Sequence, residues 1–143
     1  MDALQAINGR RVQRAFDPRP VDPDELAKIV DAGRHAMSAR NRQPWQFIVV
    51  RDRARLKEIG TLCSTGKFVA EAPAAVVVLK DVANARWADV DCAQAVQNMA
   101  NAAWALGLGT CWVGNFDAAN PPQSQPLKPR EQQVFYERYG QKR

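Results

Sequence analysis

The sequence has little of the side-chain chemistry on which many hydrolytic and metal-dependent enzymes rely. It contains a single histidine, His35, and this excludes most catalytic triads and most zinc sites. Its three cysteines, Cys63, Cys92 and Cys111, are far apart and have neither metal-binding nor disulfide spacing. An odd number of cysteines without such spacing is typical of a reducing compartment, so the sequence predicts a cytoplasmic protein.

The sequence also lacks a long basic run and any segment typical of a membrane anchor. Residues 1–8 include Asp2 and have no apolar core, so we expect neither a signal peptide nor a transmembrane segment. The net charge of +5 is spread along the chain. Its densest basic stretch, residues 51–57, contains Asp52 and is typical of a solvated helix face. We therefore expect neither nucleic acid nor a membrane as partner, although the positive charge keeps nucleic acid open as an alternative.

Helical periodicity and capping residues predict four helices. The strongest signal is Asp22, a predicted N-cap that is followed by Pro23 in the first helical position and by Glu25 as capping-box partner. The longest predicted helix is rich in alanine, is apolar on more than one side and should end at Gly107. Such a helix is typical either of the centre of a core or of a dimer interface. The predicted helices span about residues 1–7, 22–37, 52–63 and 88–106.

Four segments have the composition of β-strands. The run Ala74–Leu79 is continuously apolar, which predicts a central strand buried on both faces and therefore helices on both sides of the sheet. Residues 45–51 are aromatic and β-branched, and residues 110–113 and the aromatic tail 133–140 are also predicted as strands. With 143 residues, the chain is long enough for one domain with a single core.

An arginine-rich segment lies near the N-terminus. Arg10, Arg11 and Arg14 fall within five positions, ahead of a proline-containing stretch. Arginine presents a rigid fork of donors that matches phosphate in bidentate fashion, and this segment offers three such forks. The segment is therefore a candidate phosphate site, with a solvated basic patch as the alternative.

A polar loop, residues 36–45, is predicted between the second helix and the first strand. Pro44 disfavours helical geometry at Gln43 and should make that residue extended. Ser38, Asn41 and Gln43 can exchange hydrogen bonds with a ligand, and such loops often carry binding groups. The alternative is an ordinary connection in which Ser38 and Asn41 satisfy the end of the helix.

Together with a third stretch, Gly107–Gly114, these two motifs resemble the nitroreductase family of FMN-dependent NAD(P)H oxidoreductases. The matched positions are Arg10, Arg11, Arg14 and Phe16 in the basic segment, and Ser38, Asn41, Gln43, Pro44 and Trp45 in the loop. The resemblance covers about Leu4–Asp117 and Lys128–Gly140. The chain departs from the family pattern at Val12, where a serine is usual, and at Met37, where a proline is usual.

The resemblance implies an α+β fold with a central mixed β-sheet covered by helices on both faces. It also implies an intertwined homodimer in which the C-terminal strand is exchanged between chains. The single domain, residues 1–143, would be shortened or interrupted around residues 118–126, where the family usually continues through a further helix and strand.

The resemblance further implies FMN at the dimer interface, NAD(P)H as electron donor, and a nitroaromatic, quinone or similar small-molecule acceptor. The flavin supplies the redox chemistry, so no side chain need act as acid or base. The alternative is a flavin-poor dimer with a binding or regulatory role. The implied cofactor-binding residues are Arg10, Arg11, Arg14, Lys128 and Arg130 at the phosphate, Ser38, Asn41 and Gln43 from the partner chain, and the backbone of Trp112, Val113, Gly114 and Asn115 at the ring.

Overall fold

The computed structural model describes residues 1–81, 83 and 86–114, together with the backbone of residues 134–136. The predictions for residues 118–126 and for Asn115, Lys128 and Arg130 lie outside the described residues. The regular elements are α1 (Ala3–Gly9), α2 (Pro23–Arg34), β1 (Trp45–Val50), α3 (Arg53–Leu62), β2 (Ala75–Lys80), α4 (Ala88–Ala105) and β3 (Val134–Tyr136), with 3-10 turns at Ala39–Asn41 and Lys67–Glu71. None of the helices in the described ranges is long and apolar enough to cross a membrane.

Helix α2 begins at the predicted cap and ends earlier than predicted. The Asp22 side chain accepts hydrogen bonds from the backbone of Asp24 (2.7 Å) and Glu25 (3.4 Å). The helix ends at Arg34, and the inclusion of Met37 in its buried stripe is wrong, because Met37 is 78% exposed. His35 closes the helix, with its Nδ1 atom 2.8 Å from the Asp31 carbonyl oxygen. Residues 36–44 are thereby free to form a loop.

The sheet is mixed, as expected, but its central strand is β1. The strand order is β2-β1-β3, with β1 antiparallel to β2 and parallel to β3. The prediction that Ala74–Leu79 is the central strand, buried on both faces, is wrong in the described sheet. Strand β2 lies at an edge, and its first five residues are only half-buried in the single chain. A continuous apolar run does not distinguish a central strand from an edge strand, because both can have apolar side chains on both faces.

The core lies between β1 and the helix pair α2 and α4. Helix α4 packs against β1 and β2, and α2 packs on α4. A Cβ atom at Gly33 would lie 2.8 Å from Met99 Cγ, so the missing side chain allows the two helices to approach closely. A second helical layer on the opposite face of the sheet stays a prediction. The main core residues are Leu26, Ile29, Val30, Trp45, Phe47, Val49, Ala95, Met99 and Ala103.

Candidate functional site

The arginine-rich segment lies directly beside the chain that follows α4. Val12 forms an isolated parallel bridge with Thr110, and the Gln13 amide donates to the Thr110 carbonyl oxygen at 3.0 Å. A Cβ atom at Gly109 would lie 2.5 Å from Gln13 Cγ, so glycine is needed for this approach. The prediction of a strand at residues 110–113 is wrong beyond this one bridge. Two of the three sequence motifs are nevertheless brought together.

The three arginines of this segment have different surroundings. Arg10 is half-buried, and its Nε atom is buried without a hydrogen-bond partner among the described residues. Arg14 is exposed and makes no hydrogen bond or ion pair within the same part of the chain. Arg11 instead turns back, and its Nη1 atom donates to the carbonyl oxygens of Asn8 (3.0 Å) and Arg10 (2.9 Å) at the end of α1. A buried donor without a partner is costly, so an anion beside Arg10 would relieve an existing cost.

The Gly107–Gly114 stretch packs against Gly66 through one side chain and exposes a large aromatic side chain to solvent. Gly66 has no room for a Cβ atom because Val113 Cγ1 occupies that space, so Val113 packs directly against the backbone there. Trp112, one position earlier, is 73% exposed. The stretch therefore has one packed side chain, Val113, and one exposed aromatic side chain, Trp112.

The polar loop is held in an unusual backbone conformation. Arg40, Asn41 and Gln43 all have positive φ angles, of 55°, 54° and 49°. The expectation that Gln43 is extended is wrong, and a local hydrogen bond explains the difference, since Ser38 Oγ accepts the Gln43 amide at 3.0 Å. Gln43 Nε2 also donates to Asn41 Oδ1 at 2.9 Å. Left-handed conformations of non-glycine residues cost about 1 kcal/mol or more each and are concentrated at functional sites.

The polar loop and the arginine-rich segment lie at opposite ends of α4. The Ala39 amide donates to Asp91 Oδ1 at 3.1 Å, in the first turn of the helix. At the other end, a Cβ atom at Gly9 would lie 3.3 Å from Trp104 Nε1, which places the start of the arginine segment beside the last turn. The helix rises about 20 Å between Asp91 and Trp104 at 1.5 Å per residue. Within one chain, α4 therefore separates the two groups.

The contacts that organise this site were not predicted from the sequence. The pairing of residues 12 and 13 with Thr110 joins segments about a hundred positions apart, and no periodicity indicates it. The glycines of Gly107-Leu-Gly109 were a signal of close backbone approach, but they do not say which segment approaches. Asp91 was interpreted only as a charge that favours the start of α4. Its 4% exposure and its bond to the loop follow from the tertiary structure alone.

Two thiol groups near these elements, those of Cys63 and Cys92, are not activated. Burial, followed by the negative charges of Asp89 and Asp91, raises the pKa of Cys92 to about 11. Burial also raises the pKa of Cys63 above its ordinary value. A thiol reacts as its thiolate, so neither group favours cysteine-based chemistry at neutral pH.

The fold and the site together define an α+β protein with an arginine-rich segment that is a candidate anion site, and with a strained polar loop. A model of the nitroreductase family matches residues 7–81 and, in a second, overlapping match, residues 61–133. The chain is 37% identical over 118 residues to a candidate NADH dehydrogenase/NAD(P)H nitroreductase of Archaeoglobus fulgidus, with 79% of this chain and 67% of the relative covered. It is 40% identical over 118 residues to a protein described in the same way from Methanothermobacter thermautotrophicus, with 80% and 61% covered.

A solved structure is similar as well. A nitroreductase of Bacteroides fragilis with bound FMN matches with a TM-score of 0.65 and 28% identity, over 79% of this chain and 70% of that one. The chain thus spans roughly two thirds of the length of these proteins. It belongs to the nitroreductase family.

Proposed function

We propose that this protein is an FMN-dependent oxidoreductase that accepts electrons from NAD(P)H and passes them to a nitroaromatic, quinone or similar small molecule. The observation that carries the proposal is Arg10, whose buried Nε atom lacks a partner among the described residues. Arg14, also without a partner there, lies four positions further along the same segment. Two free guanidinium groups on one short segment suit the phosphate of FMN. Relatives named as NAD(P)H nitroreductases and an FMN-bound structure support this choice of cofactor.

The proposal includes a homodimer with flavin at the interface. Because the loop and the arginine-rich segment are about 20 Å apart along α4, one chain cannot easily present both to one flavin. Two chains packed with their α4 helices antiparallel would place the loop of one beside the arginines of the other. Ser38, Asn41 and Gln43 would then come from the partner chain, as the sequence resemblance implies. The half-buried apolar residues of β2 and the exposed Val90 are consistent with further cover by a second chain.

The proposed dimer also exchanges its C-terminal strand. In the single chain, β3 pairs with β1 of the same chain, Val134 opposite Phe47 and Tyr136 opposite Val49. The same edge of β1 could accept β3 of a partner in the same register, because the ladder of backbone hydrogen bonds is identical in both cases. Exchange would also leave no free edge at that side of β1.

Each group of residues has a distinct role in the proposed mechanism. Bound FMN supplies the hydride and electron chemistry. Arg10 and Arg14, together with Lys128 and Arg130, would hold the phosphate, and Arg11 would join them only by giving up its hydrogen bonds to the carbonyl oxygens of Asn8 and Arg10. The Ser38 hydroxyl and the Asn41 and Gln43 amides would orient the ribityl chain and the ring, and the backbone amides of residues 112–115 would donate hydrogen bonds to the ring.

A flavin-poor dimer with a binding or regulatory role is the second candidate. The side chain of Val12, which replaces the serine usual in the family, cannot donate a hydrogen bond to a cofactor. Arg11 is engaged at the end of α1. Both features would weaken flavin binding, and they leave the fold intact.

The absorption spectrum of the purified protein distinguishes the two candidates. We expect visible flavin absorption after incubation with FMN and gel filtration. This absorption should bleach on addition of NADH or NADPH and recover on addition of a quinone or nitroaromatic. A colourless protein after reconstitution, with no bleaching by either nucleotide, would refute the oxidoreductase and favour the flavin-poor dimer.

A further inference from the structure

We propose that Asp91 is a positioning residue that sets the conformation of the polar loop for flavin binding. Asp91 lies 52 positions after Ala39, is 4% exposed, and accepts the Ala39 amide through Oδ1 at 3.1 Å. The inference rests on the proposed function, because it assigns a cofactor-orienting role to the loop. It adds a residue that would not itself touch the flavin.

The hydrogen bond from Ala39 to Asp91 fixes the backbone immediately before the strained residues of the loop. Ala39 immediately precedes Arg40 and Asn41, which have positive φ angles. On the other side of them, the Gln43 amide is held by Ser38 Oγ at 3.0 Å. Arg40 and Asn41, with their unfavourable φ angles, thus lie between two amides that are held in place. The Ala39 amide is held by Asp91 of α4, and the Gln43 amide is held by Ser38 within the loop. Strained conformations persist only where the surroundings impose them, and the Asp91 carboxylate links the loop directly to a rigid helix at the residue that precedes Arg40.

The helix dipole alone does not explain why Asp91 is buried. Asp89 also lies in the first turn of α4, where its negative charge favours the positive end of the helix. Its side chain, however, is 81% exposed and pairs with Lys80 Nζ at 2.6 Å. A buried carboxylate is costly unless it is hydrogen-bonded, and Asp91 accepts a hydrogen bond from outside its own helix, from the Ala39 amide of the loop. Asp89 is therefore a matched control, with the same charge in the same turn and without the loop contact.

The first test measures the loop in the absence of flavin. Trypsin cleaves after Arg40 and Arg42, both in the loop, and the rate reports how often the loop opens. We expect cleavage at these two sites to become about tenfold faster in Asp91→Ala and to stay at the wild-type rate in Asp89→Ala. Cleavage after Arg55 in α3 serves as an internal reference for global unfolding. Equal acceleration at Arg55 and in the loop would mean that Asp91 only stabilises the fold, and this would overturn the inference.

The second test measures FMN affinity by fluorescence titration. We expect Asp91→Ala to bind FMN about tenfold more weakly, and Asp89→Ala to bind it like the wild type. Asp91→Asn should recover most of the affinity, because its amide oxygen can still accept the Ala39 amide proton. Equal affinities for the two alanine variants would overturn the inference. Failure of the wild type to bind FMN would instead overturn the proposed function, and the proteolysis result would still decide whether Asp91 controls the loop.

A third variant tests the same hydrogen bond from its donor side. Ala39→Pro removes the amide proton and leaves Asp91 and α4 unchanged. Ser38 is extended (φ −141°, ψ 149°), which is the conformation that a residue before proline prefers. Ala39→Pro should therefore fold and should weaken FMN binding as Asp91→Ala does, so the inference remains testable if Asp91→Ala is unstable. Wild-type FMN affinity in Ala39→Pro would overturn it.

Discussion

At the scale of single residues, Arg10 provides the most direct test of the phosphate site. Arg10→Ala should weaken FMN binding by about 1.5–3 kcal/mol, because a charge-assisted contact to phosphate is lost. Titration of the apoprotein with FMN measures the effect. Arg53 would be a poor control, since its guanidinium donates to the carbonyl oxygens of Ala70 and Ala72 and supports the fold. Arg55→Ala is the matched variant, and equal affinities for Arg10→Ala and Arg55→Ala would contradict the assignment.

The raised pKa of Cys92 predicts a specific pH dependence of stability. The ordinary thiol pKa is 9.0, and burial raises that of Cys92 to about 11 in the folded state. The folded state therefore favours the protonated thiol, and the stabilisation is complete below pH 9 and is lost as the pH rises from about 9 to about 11. In urea titrations over this window, the wild type should lose stability more steeply than Cys92→Ala. Parallel curves for the two proteins would show that Cys92 does not ionise on unfolding in this way.

The sequence identified most candidate binding residues individually, but it could not give their arrangement. The guanidinium groups of Arg10 and Arg14, predicted to bind phosphate, have no hydrogen-bond partner among the described residues, and their contact with a phosphate stays a prediction. Arg11, three positions from the Asn8 carbonyl, has such a partner. The backbone of Gln43 differed from expectation because the Ser38 hydroxyl outweighs the preference that Pro44 imposes. A local preference is thus overridden by one hydrogen bond whose partner is five residues away.

At the scale of elements, prediction worked where the determinant is local. The cap of α2 and the end of α4 depend on residues within one turn, and both were correct to within a residue or two. The place of β2 in the sheet depends on what lies beside it, and there the prediction was wrong. The strand predicted at residues 110–113 was wrong for the same reason. The one bridge that forms there, at Thr110, depends on Val12, which belongs to a distant segment.

The end of α4 gives a prediction at this scale. Gly107 has a φ angle of 82°, and a Cβ atom there would meet nothing within 4 Å. Gly107→Ala should therefore destabilise the fold by about 1–2 kcal/mol through backbone strain alone. Gly107→Asn should cost less, because asparagine tolerates the left-handed region. Urea unfolding measures both, and equal losses for alanine and asparagine would argue against strain as the cause.

At the scale of the whole molecule, the separation of the two binding groups along α4 predicts an obligate partner. We expect light scattering at micromolar concentration to show a dimer, with an interface well above the roughly 1,000 Å² of a biological contact. Val90, which is 52% exposed on α4 in the single chain, should be buried in the dimer interface. Val90→Lys should then weaken dimerisation at least about tenfold, because a lysine charge would be buried at the interface.

The matched control for this variant is Thr61→Lys, which adds the same charge at an exposed position of α3. It should leave the dimer intact. Because each flavin site is proposed to need the loop of one chain and the arginines of the other, Val90→Lys should lose FMN together with dimerisation as the protein is diluted, and Thr61→Lys should retain both. A Val90→Lys monomer that still binds FMN with wild-type affinity would show that one chain suffices for the site. The antiparallel arrangement of α4 helices would then be wrong.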